Sequence, residues 1–383
     1  MPIAWVVFVL LALLAASLVF ADRQAPERVA RFIAAAKSEW LARPTVRPAR
    51  GAGGVGSAWQ HHERALQIVA AWPQALRDID TMSELGAAED AIAWRDHRGL
   101  VPPLFSALRD AADCPDVRRP MEWNADPEAV LTLAALGRVA CREIAARMDQ
   151  GALDDAVEGS LDLATFVGDL AGHWSTLGQL QALAMLGGLC ELWTPGRVAR
   201  LSAEGRDRLA AGLAELDRRL PWELPLQYDL AATADSLVDL EAALEQFDGR
   251  LQAWRHGFSP RLMLCTAIEE LRTLYASLPE AVPNEPWSKR GTQLRRIEAA
   301  ARASANPWVR RLGCNVVDCE QATRRGRAEL RLLCLELAWR SGRELPELMD
   351  PTADGPIVVE IDAAEVTLRV ADPEAPARVV ERH

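Results

Sequence analysis

Pro127 to Trp193 reads PEAVLTLAALGRVACREIAARMDQGALDDAVEGSLDLATFVGDLAGHWSTLGQLQALAMLGGLCELW, and three helices with two turns can be marked out in it. From Glu128 to Met148 the residues Val130, Leu133, Gly137, Ala140, Cys141, Ile144 and Met148 recur at helical spacing. Glu128, Arg138, Arg142, Glu143 and Arg147 take the other face, which predicts an amphipathic helix with one buried side. Asp149, Gln150 and Gly151 then turn the chain, because glycine accepts the left-handed backbone that ends a helix. Leu153, Ala156, Val157, Leu161, Ala164, Val167 and Ala171 stripe a second helix, expected to pack on the first as an antiparallel hairpin.

Ser175 can cap a third helix, whose residues from Leu177 to Cys190 carry no charge and present apolar or small groups on every face. That pattern predicts a helix in the middle of a helical layer, with Gly187 and Gly188 permitting close helix contact. A second membrane span over Gly172 to Cys190 is the rival reading, opposed by Gln179, Gln181 and four glycines. The expected fold class is mainly α.

The 383 residues are half apolar, enough for a substantial core, and the net charge of −11 excludes general affinity for nucleic acid. Arginine supplies nearly all the positive charge, the lysines being Lys37 and Lys289. Seven cysteines, Cys114, Cys141, Cys190, Cys265, Cys314, Cys319 and Cys334, are odd in number and scattered over helical stretches. They do not form a disulfide framework, although Cys314 and Cys319 are close enough in sequence to pair.

Ile3 to Ala21 is a run of 19 uncharged, almost wholly apolar residues, which as a helix spans roughly 28 Å against a hydrocarbon core of about 30 Å. It predicts a single transmembrane anchor within residues 1–22, and hence a bacterial cytoplasmic (inner) membrane protein. A cleaved signal peptide is the competitor, since Val19 and Ala21 suit a cleavage site, but a basic n-region is lacking. Arg23, Arg28, Arg31 and Lys37 follow the span, which by the positive-inside rule places the large domain in the cytoplasm. Residues 23–57 divide into a juxtamembrane helix, Pro26 to Ala42, and a flexible linker, Arg43 to Ser57, rich in proline and glycine.

A helical array is expected over residues 58–286, with helices from Ala58 to Trp72, from Pro73 to Asp96 with a break near Gly86, and from Pro103 to Ala112. After the three central helices come a start at Thr194 and Pro195, a helix from Ala203 to Leu220 capped by Ser202, and helices from Gln227 to Phe258 and Arg261 to Leu278. Pro279, Pro283 and Pro286 mark a loop and the softest internal boundary. Residues 287–343 form a basic segment: Lys289 to Arg331 holds eleven basic residues against Glu298, Asp318, Glu320 and Glu329. A solvated face is the first reading of it, and binding of an anionic partner or lipid headgroups the second. Ala322 to Ser341 makes a last helix. In residues 344–371 the runs Pro356 to Ile361 and Glu365 to Val370 predict a β-hairpin, and residues 372–383 a frayed polar tail.

Asp149 to Phe166, with Gly151, Leu153, Ala156, Leu161 and Ala164, looks like the turn and second helix of a tetratricopeptide-type unit. No period of about 34 residues repeats along the chain, so the expectation is an irregular antiparallel array. The closing Asp350, Pro351, Thr352, Ala353, Asp354, Gly355, Pro356 and the hairpin after it, with the acidic turn at Asp149 to Asp155 and the N-terminal apolar helix, resemble a family of membrane-anchored, largely helical bacterial proteins of unknown function. Here the glycine stands one place later than in that family and the hairpin lacks its usual aromatic. The ending is also similar to the C-terminal part of type II secretion pseudopilins, which are far shorter. The resemblance implies architecture and anchoring and brings no active site with it.

Gly51, Gly53 and Gly56 satisfy G-x-G-x-x-G, but Pro44 to Arg50 before them is no strand, so the reading is linker, not dinucleotide loop. His61, His62 and Glu63 form the one polar cluster that could serve a metal-dependent enzyme. Adjacent histidines on a helix point about 100° apart, so surface histidines are the preferred reading. No G-x-S-x-G elbow, Walker loop or C-x-x-C is present, and no catalytic, cofactor or metal residue is assigned. Trp94, Trp174, Trp193 and Trp254 read as core or groove-lining groups. The sequence therefore points to a membrane-anchored interaction or scaffold protein that holds a protein partner in grooves between helices. The alternatives are an enzyme with its site between helices and an envelope or secretion assembly component.

Overall fold

The computed structural model of the chain describes residues 24, 26–39, 42, 47–51, 54, 56–79, 87–117, 127–173, 175–236, 260–313, 315–362, 365–372 and 377–381. They are mainly helical, with a small C-terminal sheet. The expected span at Ile3 to Ala21 lies outside them. No helix of the described residues is long and apolar enough to cross a membrane. The rival second span over Gly172 to Cys190 is thereby overturned: a helix ends at His173, and Ser175 caps the next by accepting from the Gly178 amide.

The helices are α1 (Ala58–Ala70), α2 (Gln74–Arg77), α3 (Ala87–His97), α4 (Pro102–Asp113), α5 (Pro127–Asp149), α6 (Leu153–His173), α7 (Thr176–Leu192), α8 (Pro195–Ala199), α9 (Ala203–Arg219), α10 (Leu226–Ser236), α11 (Pro260–Ala276), α12 (Trp287–Ala303), α13 (Pro307–Leu312) and α14 (Val316–Arg340). Residues 26–39 are also helical. The cap residues read from the sequence do their work: Thr194 accepts from the Arg197 amide and Ser202 from the Gly205 amide, each satisfying a donor that a helix N-terminus leaves unpaired. Gly151 takes φ +80 at the turn between α5 and α6.

The chain divides into two compact units made of interleaved pieces. One comprises Met1–Arg43, Pro225–Glu280 and Thr292–Val317, the other Pro44–Leu224, Ala281–Gly291 and Asp318–His383. In the first, Val29, Ile33 and Ala36 bury one stripe of the helix over residues 26–39, Lys37 pairs with Asp235 at 3.0 Å, and the Asn306 amide donates to the Met263 carbonyl.

In the second unit the middle helix is α6, which packs against α4, α5, α7 and α9 and is buried at every residue from 159 to 171. The sequence had pointed to α7. Its uncharged faces reflect something else: one side is core, and the other, with the half-buried Gln181 and the exposed Ala184 and Glu191, lines an open cleft. The glycines that allow close approach also differ from those expected. A Cβ at Gly137 would stand 2.5 Å from Met185 and one at Gly326 3.0 Å from Leu183, whereas at Gly187 and Gly188 it would find ordinary contact distances. Nor is α5 one-sided. Glu143, assigned to its polar face, is buried between Arg98 and Arg147 at 2.8 and 3.0 Å, while Leu131 is 70% exposed. Trp193 is wholly buried and donates its indole N–H to the Ser160 hydroxyl at 3.1 Å.

The strands β1 (Val358–Ile361), β2 (Glu365–Arg369) and β3 (Arg378–Glu381) form an antiparallel sheet in the order β1-β2-β3, with Val359 opposite Leu368 and Val366 opposite Val380. Val366, Leu368 and Val380 are fully buried and, with Ile357, cluster with Ala328, Leu332 and Leu335 of α14. The expected hairpin is present, but the tail read as frayed supplies a third strand at residues 378–381. Its Val380 completes the apolar face, and Arg378 pairs with Glu336 at 2.7 Å and donates to the Trp193 carbonyl. Asp350 of the Asp-Pro segment is buried, one carboxylate oxygen accepting from the Thr352 amide and the other from the Ala371 amide at the end of the sheet.

The basic segment is not uniformly a solvated face. Arg295, Arg296 and Arg310 are exposed, but Arg290, Arg324, Arg327 and Arg331 are buried. Arg327 donates to the carbonyls of Asp217, Leu220 and Pro221, satisfying the C-terminus of α9, and lies 3.9 Å from the Trp222 ring centre. Arg331 reaches Asp217 and the Met349 carbonyl, and Arg290 pairs with Glu320 at 3.1 Å. Burial lowers the Arg327 guanidinium to about 10, so it remains cationic at neutral pH. These charges are used inside the protein and are not presented to a lipid surface.

Candidate functional site

The three residues of the sequence's polar cluster point to three places. His61 is half-buried with Nδ1 4.0 Å from Asp110, and Glu63 accepts from the Trp59 indole at 2.9 Å on the same helix. His62, read as a surface histidine, is instead buried. Its ring stands edge-on to Trp59 and Phe166, and Nε2 lies 2.8 Å from Asp169. The reversal follows from α1 packing His62, with Trp59, Ala65 and Val69, onto α4 and α5, which brings the His62 ring to Phe166 and Asp169 of α6. Among the described residues no three His, Cys, Asp or Glu side chains converge to hold a metal ion.

Asp169 of α6 is the centre of a buried ionic cluster. Arg47 meets it through Nε at 3.0 Å and through Nη2 at 3.2 Å, and Arg219 of α9 donates to Oδ1. Burial alone would push the Asp169 carboxyl up, but the His62 hydrogen bond and the charges of His62, Arg219 and Arg47 together hold it far below the usual carboxylate range. Arg47 also donates to the carbonyls of Ala111 and Ala112 at 2.6 and 2.8 Å. About two helix turns away along α6, Asp162 takes Arg50 at 2.6 Å and Arg109 at 3.3 Å. The described part of the expected linker, residues 47–51, 54, 56 and 57, is thus a strap pinned to the body. A Cβ at Gly51 would meet the Asp113 carboxylate at 2.5 Å, and the Gly54 amide donates to the Asp113 carbonyl at 2.7 Å. No strand precedes Gly51 among the described residues, and Gly53 of the G-x-G-x-x-G match lies outside them.

A cleft of about 810 Å³ runs between α5, α7 and the N-terminal half of α14. Small and apolar groups, Ala134, Gly137, Leu180, Ala184, Gly187 and Ala322, form much of its wall. Leu131, one turn before Ala134, and Leu177, one turn before Gln181, are exposed at the starts of α5 and α7. The wall's cations are engaged: Arg138 donates to the carbonyls of Ile79 and Arg77, and Arg325 pairs with Asp372. Of its carboxylates Asp318, Glu191 and Glu329, the two glutamates accept no hydrogen bond among the described residues. Burial pushes both carboxyls up, Glu329 further so by the charge of Glu191. Cys141 on the same wall is pushed up to about 12 by burial, and Cys190 beside it is likewise raised, so both stay protonated and unreactive at neutral pH.

Sequence reading did not find the ionic cluster. The signal for the cluster is present: Asp162 and Asp169 stand seven residues apart on one face of an otherwise apolar run, and such carboxylates are buried only with cationic partners. No known protein family, curated protein or solved structure matches this chain.

Proposed function

We propose that this protein is a single-pass, membrane-anchored helical interaction protein that docks a protein partner in the cleft between α5, α7 and α14. The observation that carries the reading is that cleft: an apolar wall of small residues, bordered by exposed Leu131 and Leu177, with two carboxylates whose charges lack a hydrogen-bonded partner. Such a surface suits an amphipathic segment bearing a lysine or arginine, because the cation removes the penalty on Glu191 and Glu329 while the apolar face covers the wall. Ile3 to Ala21 supports the anchor by length and hydropathy, and the helical array with its closing sheet is in keeping with the resemblance to membrane-anchored helical proteins. The inner membrane follows from the same run.

Affinity capture from membranes with the full chain tests this against Ala184→Trp, which fills the cleft from an exposed position. A stoichiometric partner held by the wild type and lost by the variant, with helical content unchanged, is expected. Equal capture by both proteins overturns the assignment of the cleft. Recovery of the full chain from the soluble fraction overturns the anchor.

A further inference from the structure

A second cavity, of about 430 Å³, lies between α6 and α9 under the strap. The two helices run parallel: Glu158 pairs with Arg208, Leu161 fills the space over Gly212, and Asp169 takes Arg219. Arg208 and Arg219 stand on one face of α9 about 16 Å apart along its axis, so the cavity has two charged ends and an apolar middle of Leu161, Ala164, Ala211 and Leu216.

The ends differ in charge balance. Around Arg208, Arg50 and Arg109, the carboxylates of Asp154, Glu158 and Asp162 match the cations one for one. At the other end Arg47, Arg219 and the ring of His62 converge on Asp169 alone, and the nearby Glu215 is held by Arg218. Two guanidiniums and an imidazole against one carboxylate leave at least one positive charge over. Arg47 has none of its donors to spare, since they go to Asp169 and to the carbonyls of Pro48, Ala111 and Ala112. Arg219 lines the cavity and gives Asp169 only Nη2, with Gly168 leaving room for its guanidinium.

We propose that this cavity binds a small organic monoanion, a carboxylate on a short unbranched apolar chain, with its head on Arg219 and its chain along Ala164 and Ala211. A guanidinium fork matches a carboxylate in two parallel hydrogen bonds. The surplus positive charge balances the carboxylate head, and the apolar middle of the cavity suits a hydrocarbon chain and offers nothing to an inorganic phosphate. A volume of about 430 Å³ lies in the range of small-molecule sites, which combine apolar walls with a few placed polar groups. The site is separate from the cleft and does not rest on the docking reading.

Equilibrium dialysis of [14C]hexanoate against the full chain in lipid nanodiscs, with empty discs as reference, tests it. Saturable one-to-one uptake is expected, displaced by unlabelled hexanoate and not by hexanamide or inorganic phosphate. Ala211→Phe, at an exposed position on the cavity rim, abolishes uptake with Arg219 intact, and Arg219→Gln weakens it at least tenfold. Uptake that does not saturate, that hexanamide or phosphate displaces equally well, or that survives Ala211→Phe overturns the proposal. Because Ala211→Phe leaves the ionic cluster untouched, the result stands even if Arg219→Gln does not fold.

Discussion

Replacing Asp169 by asparagine keeps the shape of the side chain and removes the one negative charge that Arg47 and Arg219 share. The side chains of Arg47 and Asp169 are 4% and 1% exposed, and that of Arg219 is 19% exposed, so water cannot replace the lost partner for Arg47. Removing one member of a buried pair costs about 3–5 kcal/mol, because the other is left charged in a poorly solvated site. Asparagine still offers one oxygen, which places the expected loss near the lower end, about 3 kcal/mol. Arg47→Met perturbs the same cluster from the other side. It leaves Asp169 with His62 and Arg219 but orphans the carbonyls of Ala111 and Ala112, for a loss of about 1–3 kcal/mol. Once Arg47 is gone the asparagine substitution has one fewer buried cation to strand, so the two losses should combine to less than their sum by about 1 kcal/mol or more. Urea unfolding of the full chain in mild detergent, followed by tryptophan fluorescence, measures all four corners of the cycle. If Asp169→Asn costs under about 1 kcal/mol, or the losses add to within about 0.5 kcal/mol, the strap is not held by this carboxylate and the argument fails.

Two further outcomes follow from the cleft wall and the closing sheet. The Glu329 carboxyl is raised by burial and by Glu191, so its charged form is disfavoured in the folded state. The penalty is absent below the ordinary glutamate pKa and grows as pH rises above it; Glu329→Gln should therefore unfold at higher urea than the wild type at pH 7, with the gap closing toward pH 4, and a gap independent of pH would contradict the assignment. Ending the chain after Ala371 removes β3, uncovering the surface that Val380 buries and leaving the fully buried Glu336 with Arg340 alone. A loss of at least about 2 kcal/mol and faster amide exchange over Glu365–Arg369 are expected, and unchanged exchange there would show that β3 does not hold the sheet.

What the sequence displayed was local. Caps and turns depend on a few adjacent residues, so Ser175, Thr194, Ser202 and Gly151 could be read without neighbours, and the short β-branched runs Pro356 to Ile361 and Glu365 to Val370 marked the hairpin. The third strand escaped because Arg378–Glu381 is short and its apolar alternation rests on Val380, whose partner on the sheet's inner face, Val366, lies 14 residues back. The central helix was misassigned because lack of charge is a measure of what a helix could bury, not of what surrounds it. Helix α7 is uncharged from Leu177 to Cys190 yet borders an open cleft, whereas α6 carries Asp162 and Asp169 into the middle of the core.

That inversion has one physical cause. A helix bearing carboxylates can be central only if arginines from elsewhere reach it, and here Arg47 comes from 122 residues before Asp169 and Arg50 from 112 before Asp162. The charge count alone, eleven basic residues between Lys289 and Arg331, likewise says nothing of burial: Arg324, Arg327 and Arg331 fall on one face of α14 and spend their donors on carbonyls and on Asp217 and Glu320. Arginine suits this use because its planar fork satisfies several acceptors at once and does not lose its proton on burial, as lysine readily does. A composition almost without lysine, which looks like bias when counted, is in this fold a supply of buried cross-links. Their placement ties residues 47–50, just past the expected anchor and juxtamembrane helix, to the centre of the body, so that a force or a ligand acting on the strap acts on α6 and α9 together.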